Sequence, residues 1–375
     1  MLKGIIDFSL RNKFIVMVTT IALVVIGAYA VRNIPLDAIP DLSDVQVIIY
    51  TEWPGQAPQI VQDQVTYPIT TKMLSVPKNK VVRGYSFFGF SFVYVIFEDG
   101  TDPYWARSRV LEYLSSLGAQ LPKNVTPSLG PDATGVGWAF MYSLNSTNRD
   151  LAELRSMQDW YLKYQLASVN GVAEVASVGG FVKQYQVTVD PARLRAYNLS
   201  IADVGTAIQR SNGEVGGRSI ELSEKEFMLR VRGYLQGLDD LRKIAVGLGA
   251  NGVPILLRDV ANIQLGPDMR RGIAELNGEG ETVGGIVVVR YGANARQVIL
   301  ETKRRLDQAM KGLPPDVTYT IAYDRSALIQ RAVKTLEEKL IEESVVVALV
   351  CVLFLLHLRS AFVAIVILPL AVLIS

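Results

Sequence analysis

The chain has 375 residues, half of them hydrophobic, with 38 Lys and Arg against 36 Asp and Glu, one Cys and one His. That length accommodates two or three domains. The near-balanced, scattered charge excludes a dedicated nucleic-acid binder, which needs a concentrated basic surface, and a single Cys excludes an internal disulfide framework.

The first element is the uncharged apolar run Phe14–Val31, close to the ~20 residues that cross a bilayer core as a helix. A cleavable signal peptide is the competing reading, but Val31-Arg32-Asn33-Ile34-Pro35 lacks a small-x-small cleavage site. Lys3, Arg11 and Lys13 precede the run and place the N-terminus in the cytoplasm. Asp37, Asp41 and Asp44 follow it. They offer a hard-cation site or, with no EF-hand spacing among them, caps for the segment they open.

Val45–Glu52 then reads as a strand and Ala57–Leu74 as a helix with an expected kink at Pro68. Val81–Ser86 and Ser91–Glu98 form a hairpin around Phe87-Phe88-Gly89-Phe90. Asp102 caps a helix with Pro103 in its first position. Val110, Leu111, Leu114, Leu117 and Leu121 are its expected buried stripe. The order strand–helix–strand–strand–helix–strand predicts a split βαβ, ferredoxin-like sandwich.

A second unit opens with Ala139–Leu144, followed by a helix with Asp150 and Glu153 spaced as a capping box. Val172–Val178 and Gln184–Val189 come next, separated at Gly179-Gly180. The unit resumes near Gly272 with strand Val283–Arg290, a helix from Asn294 and strand Thr318–Tyr323. Between lies an insertion, Pro191–Pro267, with a helix capped by Ser200 and Asp203, a hairpin-like stretch Gly213–Tyr234 and strand Val253–Leu257. Gly100, Asp102, Leu114, Leu121-Pro122, Val125 and Thr126 recur at one constant offset as Gly292, Asn294, Leu306, Leu313-Pro314, Val317 and Thr318. These are caps and turns, positions whose side chains are dictated by backbone geometry, and they indicate duplication.

Apolar runs return at Ser344–Leu356 and Ala361–Ile374. The connection His357-Leu358-Arg359-Ser360 carries an Arg and is expected on the cytoplasmic side. Residues from about Arg32 to Glu343 therefore lie across the membrane. Neither Cys351 nor His357 falls in that exported segment. Thiolate and imidazole metal sites are excluded there, leaving Met thioethers, carboxylates and carbonyls. Met73, Met141, Met157, Met228, Met269 and Met310 lie outside the apolar runs. Thioethers favour Cu(I) and Ag(I) over zinc or cobalt, although Met is also a common core filler. Met157 and Met310 sit at apolar helix positions and read as filler. Met269, in the polar link Gly266-Pro267-Asp268-Met269-Arg270-Arg271, is balanced between ligand and packing.

No enzyme signature is present: a Walker phosphate loop is missing, and Ser-His-Asp chemistry has no His in the exported segment. Phe14–Val31 and Val345–Leu356 hold no Asp, Glu, Lys, Arg or His, so neither supplies a proton-coupling site.

Taken together, Pro35-Leu36-Asp37-Ala38-Ile39-Pro40-Asp41, Tyr67-Pro68, Gly100-Thr101-Asp102-Pro103-Tyr104-Trp105-Ala106-Arg107, Gly130-Pro131-Asp132-Ala133-Thr134-Gly135, Val178-Gly179-Gly180-Phe181-Val182-Lys183-Gln184-Tyr185, Gly272-Ile273-Ala274-Glu275-Leu276-Asn277-Gly278-Glu279-Gly280 and Tyr323-Asp324-Arg325-Ser326 resemble the heavy-metal-efflux permeases of the resistance–nodulation–division (RND) class. Within them the chain is similar to the CusA-type copper/silver branch, N-terminal part only. The resemblance implies an α+β membrane protein with duplicated ferredoxin-like porter subdomains and an inserted docking subdomain. It divides the chain into a first transmembrane part (1–32), a first porter subdomain (33–135), a second porter subdomain in two parts (136–190 and 272–330), a docking insertion (191–271), a second transmembrane helix (331–358) and the start of a third (359–375).

The resemblance also implies a bacterial inner-membrane homotrimer working with a periplasmic adaptor protein and an outer-membrane channel, driven by protons and carrying Cu(I) or Ag(I) as cargo with no permanent cofactor. By the same resemblance Met269 belongs to a methionine relay, Gly213–Tyr234 is the loop that reaches a neighbouring protomer, and the proton-relay carboxylates and main three-Met site lie in a C-terminal half that this chain does not contain. Two alternatives stay open: the same fold exporting divalent zinc, cobalt or nickel, and a membrane-anchored binding or assembly module if the gene ends at Ser375.

Overall fold

The computed structural model describes residues 8–33, 37, 39–118, 120–231, 233–249, 252–270, 272–355, 367 and 370–371. The chain forms two compact units, one of residues 1–145, 158–178 and 284–375 and the other of 146–157 and 179–283.

In the first unit the opening apolar run is the helix Lys13–Asn33. Among the described residues, Lys13–Ala30 is the one stretch long and apolar enough to cross a membrane, with mean hydropathy 2.1. Strands β1 (Gln46–Glu52), β2 (Asn79–Phe87), β3 (Phe90–Phe97) and β4 (Ser128–Leu129) form an antiparallel sheet in the order β2-β3-β1-β4. Alternate residues Val47, Ile49, Val93 and Val95 point to one face. There they meet Val61, Val65, Ile69 and Met73 of one helix and Val110, Leu114 and Leu117 after another. Asp102 caps the second helix, Pro103–Ser115, accepting from the amides of Tyr104 (3.2 Å) and Trp105 (3.3 Å). Leu111, expected in the buried stripe, is 57% exposed. The buried row runs Ala106, Val110, Leu114 at i, i+4 spacing, and Leu111 lies one residue's rotation beyond it.

The helix expected to kink at Pro68 instead widens just before it. Pro58–Val61 and Tyr67–Met73 are α-helical, and Gln62–Thr66 between them is a π-turn segment. Proline lacks an amide and crowds the carbonyl one turn back, and a π-turn relieves both demands at the cost of one extra residue.

The second sheet contains β5 (Trp138–Asn145) and β6 (Val172–Gly179). After β6 the chain returns to the second unit. Strand β7 (Lys183–Val189) was expected to continue with β5 and β6, but it pairs antiparallel with β12 (Ala261–Pro267). Gly179 and Gly180, at φ +70° and +57°, turn the chain out of the sheet in a left-handed conformation that glycine adopts without steric cost. The unit's core gathers Leu194, Val204, Leu241, Ile244, Val246, Ile255, Leu257, Val260 and Ile263. Helix Ile201–Ser211 carries a reciprocal capping box between Ser200 and Asp203. Strands β8 (Val215–Leu222) and β9 (Lys225–Val231) form the expected hairpin, and β10 (Ala245–Leu248) pairs with β11 (Pro254–Leu256).

Strands β13 (Val283–Val289) and β14 (Thr318–Asp324) complete the second sheet in the order β14-β5-β13-β6. Within each copy the first and third strands are central and the second and fourth are edges. Gly100 and Gly292 both sit at positive φ, +77° and +76°. Asn294 repeats the cap of Asp102, accepting from the Gln297 amide at 3.1 Å. The Leu-Pro turns match as well, with Val125 donating to Pro122 (3.2 Å) and Val317 to Pro314 (3.0 Å). The first helix of the second copy also has a π-turn segment, Gln158–Leu162.

A 31-residue helix, Arg325–Leu355, follows. Its root is buried through Arg325, Ser326 and Ile329, and residues 331–347 are exposed. The apolar run from Ser344 occupies its far end as far as Leu355. Most of the third run, Ala361–Ile374, lies outside the described residues.

Candidate functional site

Met269 lies in the second unit, just beyond the end of β12, and is 66% exposed. Its loop is tied to β7. The Asp268 amide donates to Val182 O (2.8 Å), Gln184 Nε2 donates to Pro267 O (3.2 Å) and Asp268 Oδ1 (3.0 Å), and Gln186 Nε2 donates to Pro267 O (3.0 Å). Gly266 allows this close approach, since a Cβ there would lie 2.3 Å from Gln186 Oε1. The Met269 amide donates to Asp268 Oδ1 at 2.7 Å, so that carboxylate oxygen is engaged by the loop itself. Beyond Met269, Arg270 pairs with Glu281 and lies 5.7 Å from the Phe181 ring. The Met269 thioether is left as an outward-facing soft donor on a braced loop.

The other methionines divide by environment. Met73 is fully buried in the first core, which makes it filler. Met141, Met157 and Met310 are half-buried. Met228, on β9, is 88% exposed.

The three carboxylates after the first helix do not converge. Asp37 pairs with Arg325 at 3.1 Å and Asp44 lies 3.8 Å from Lys80. Asp41 accepts from the Ser43 amide (3.0 Å) and hydroxyl (2.5 Å). Partial burial pushes the Asp41 carboxyl up, but the Ser43 and Thr134 hydroxyls, the Ser43 amide and the Arg325 charge outweigh it and hold it below the usual carboxylate value. Among the described residues no group of three or more His, Cys, Asp or Glu is placed to hold a metal ion.

A charged cluster at the root of the last helix escaped the sequence reading. Arg325 is buried, at 4% exposure, and donates to Asp37 Oδ2 (3.1 Å) and Trp138 O (2.8 Å). Beside it Asp324 pairs with Lys303 and accepts from the Ser326 amide (2.9 Å) and hydroxyl (2.6 Å). Partial burial raises the Asp324 carboxyl, and the Lys303 and Ser326 contacts together lower it further than burial lifts it. The only sequence signal was the run Tyr323-Asp324-Arg325-Ser326. Asp37 and Arg325 are 288 positions apart, beyond the reach of any local pattern.

The first unit joins a helix long and apolar enough to cross a membrane to two four-stranded sheets of the same strand order, and the second unit carries the exposed thioether of Met269. A family model for the AcrB/AcrD/AcrF family matches residues 5–375, and the chain belongs to that family of RND transporters. It is 58% identical over 377 residues to the cation efflux system protein CusA of Escherichia coli strain K12, covering all of this chain and 36% of that protein. It is 34% identical over 382 residues to the cobalt-zinc-cadmium resistance protein CzcA of Cupriavidus metallidurans, again covering all of this chain and 36% of the relative. A crystal structure of a heavy metal efflux pump superposes with a TM-score of 0.88 at 32% identity, covering 98% of this chain and 37% of that one. The chain thus spans a little over a third of the length of the proteins it resembles.

Proposed function

We propose that the chain is the N-terminal portion of a proton-driven inner-membrane permease that exports Cu(I) or Ag(I), with Met269 as a thioether ligand along the cargo path. The carrying observation is the exposed thioether of Met269 on a loop braced by Gln184 and Asp268. A buried filler would face inward, whereas this side chain is available to a soft monocation. The identity of 58% to CusA against 34% to CzcA supports cargo of the CusA type over zinc, cobalt or nickel.

In this reading each four-stranded sheet with its two helices is a ferredoxin-like porter subdomain, at 33–135 and at 136–190 with 272–330, and residues 191–271 are the docking insertion. The shared strand order and the matched glycine, cap and Leu-Pro turns support it. The basic residues before the first helix support a cytoplasmic N-terminus. The second membrane span is the distal part of the helix Arg325–Leu355 and the third begins in 359–375. The working assembly is a homotrimer with a periplasmic adaptor and an outer-membrane channel, and the exposed hairpin side chains Ile220, Phe227 and Met228 suit a loop that meets another protomer.

Substituting Met269→Ile in the complete gene and scoring growth on copper and silver tests the assignment. Lowered tolerance with unchanged protein level is expected. Unaltered tolerance with unaltered metal affinity would remove the thioether from the path.

A further inference from the structure

Arg270 follows Met269 directly, and a guanidinium at that spacing repels a monovalent cation approaching the thioether. At about 6 Å in water the repulsion amounts to roughly a threefold loss of affinity. In the structure this charge is engaged by two other side chains. Arg270 is paired with Glu281, both side chains about one-third exposed (31% and 34%), and its guanidinium carbon lies 5.7 Å from the Phe181 ring. Phe181 and Glu281 are brought together by the backbone. Gly179 approaches Thr282 so closely that a Cβ would lie 2.0 Å from Thr282 O. The Thr282 amide donates to Ala274 O at 2.9 Å, and Glu281 forms a bridge with Glu275. The glycine pair thus sets the aromatic ring and the carboxylate as two walls of one cradle, into which Arg270 folds.

We infer that Glu281 and Phe181 are positioning residues that hold the Arg270 charge off the Met269 thioether and keep that donor open to a soft monocation. This inference rests on Met269 being a Cu(I) or Ag(I) ligand. Neutralisation by Glu281 and attraction to the Phe181 ring act together. The cradle tunes affinity without contributing a metal ligand.

The test is a silver nitrate titration of the whole chain in detergent, carrying ¹³C-methyl methionine and kept in nitrate buffer so that silver stays dissolved. Eight methionines give eight methyl signals, and Met269→Ile assigns the one that matters. In the wild type the Met269 methyl shifts with added silver. Glu281→Gln is expected to weaken that binding about threefold, and the difference should collapse in ~1 M nitrate, where screening shortens to ~3 Å. Arg270→Gln is expected to leave affinity unchanged or tighter, alone or combined with Glu281→Gln. A Glu281→Gln variant that binds like wild type overturns the inference, as does Arg270→Gln weakening binding, since that would make Arg270 a prop for the loop. Unmoved methyl signals from the other methionines establish that each variant is folded. If the wild-type Met269 methyl ignores silver, the ligand assignment fails and the inference with it. A wild-type response without the Glu281 effect removes the inference alone.

Discussion

The ion pair between Asp37 and Arg325 joins the segment after the first apolar helix to the root of the helix Arg325–Leu355, and its removal has a calculable consequence. In Asp37→Asn the amide keeps the acceptor oxygen and loses the charge, leaving the buried guanidinium with Trp138 O and an Nε that has no hydrogen-bond partner. Removing one partner of a fully buried pair costs about 3–5 kcal/mol, and exposed pairs are worth about 0–1 kcal/mol. Arg325 is 5% exposed in its side chain and Asp37 32%, so about 2 kcal/mol lies between those limits. Since the chain has two units, a global melt would blend their transitions, and local amide hydrogen exchange is the better assay. Exchange at 325–332 should quicken about thirtyfold in Asp37→Asn, while β1 and β3 are unaffected. Arg325→Gln combined with Asp37→Asn should cost less than the two single changes summed, because the partners act through one contact. Strict additivity, or an Asp37→Asn change below about twofold, would refute the claim that this pair secures the helix root.

Two further outcomes follow from the geometry. Gly100→Ala and Gly292→Ala meet no neighbouring atom, yet both positions hold φ near +77°. Each should lose about 1–2 kcal/mol in denaturant titration from backbone strain alone, with Asn at either position costing less. Asp324, held below its ordinary pKa, stabilises the fold above the unfolded carboxylate value near 4, and this contribution vanishes as pH falls through its lower folded value. Asp324→Asn should therefore destabilise measurably at pH 7 and lose its effect once the pH has fallen through the lowered folded value, as read from urea midpoints across pH.

What the sequence disclosed was the part of the fold written in local chemistry. Asp102, Asn294 and Ser200 each cap the helix that their spacing indicates, because an N-cap needs a short acceptor beside free amides. The repeat was legible for the same reason, since Gly100 and Gly292 hold one left-handed backbone conformation. Pairing choices were less visible. Nothing in β7 says that it will bond to β12 in preference to the strand before it, because its alternation suits either partner. The π-turn segments carry no compositional mark, and Pro68 advertised only a disturbance. At the candidate site the sequence could single out Met269 by its polar surroundings. The roles of Gln184, Phe181 and Glu281 depend on strands distant in sequence.

In the first sheet β2 and β3 are joined by the tight turn at Phe88-Gly89, with Gly89 at φ +73°. In the second sheet the strands in the equivalent places, β6 and β13, are also neighbours, yet residues 180–282 are threaded between them. The insertion occupies the tip of a hairpin, where the two chain ends already stand side by side. The entropy of closing such a loop grows only as the logarithm of its length, so the tip can host a domain at little cost to the strands that carry it. Evolution of the inserted unit, in size or in the surface it offers, is thereby decoupled from the sheet on which it grew.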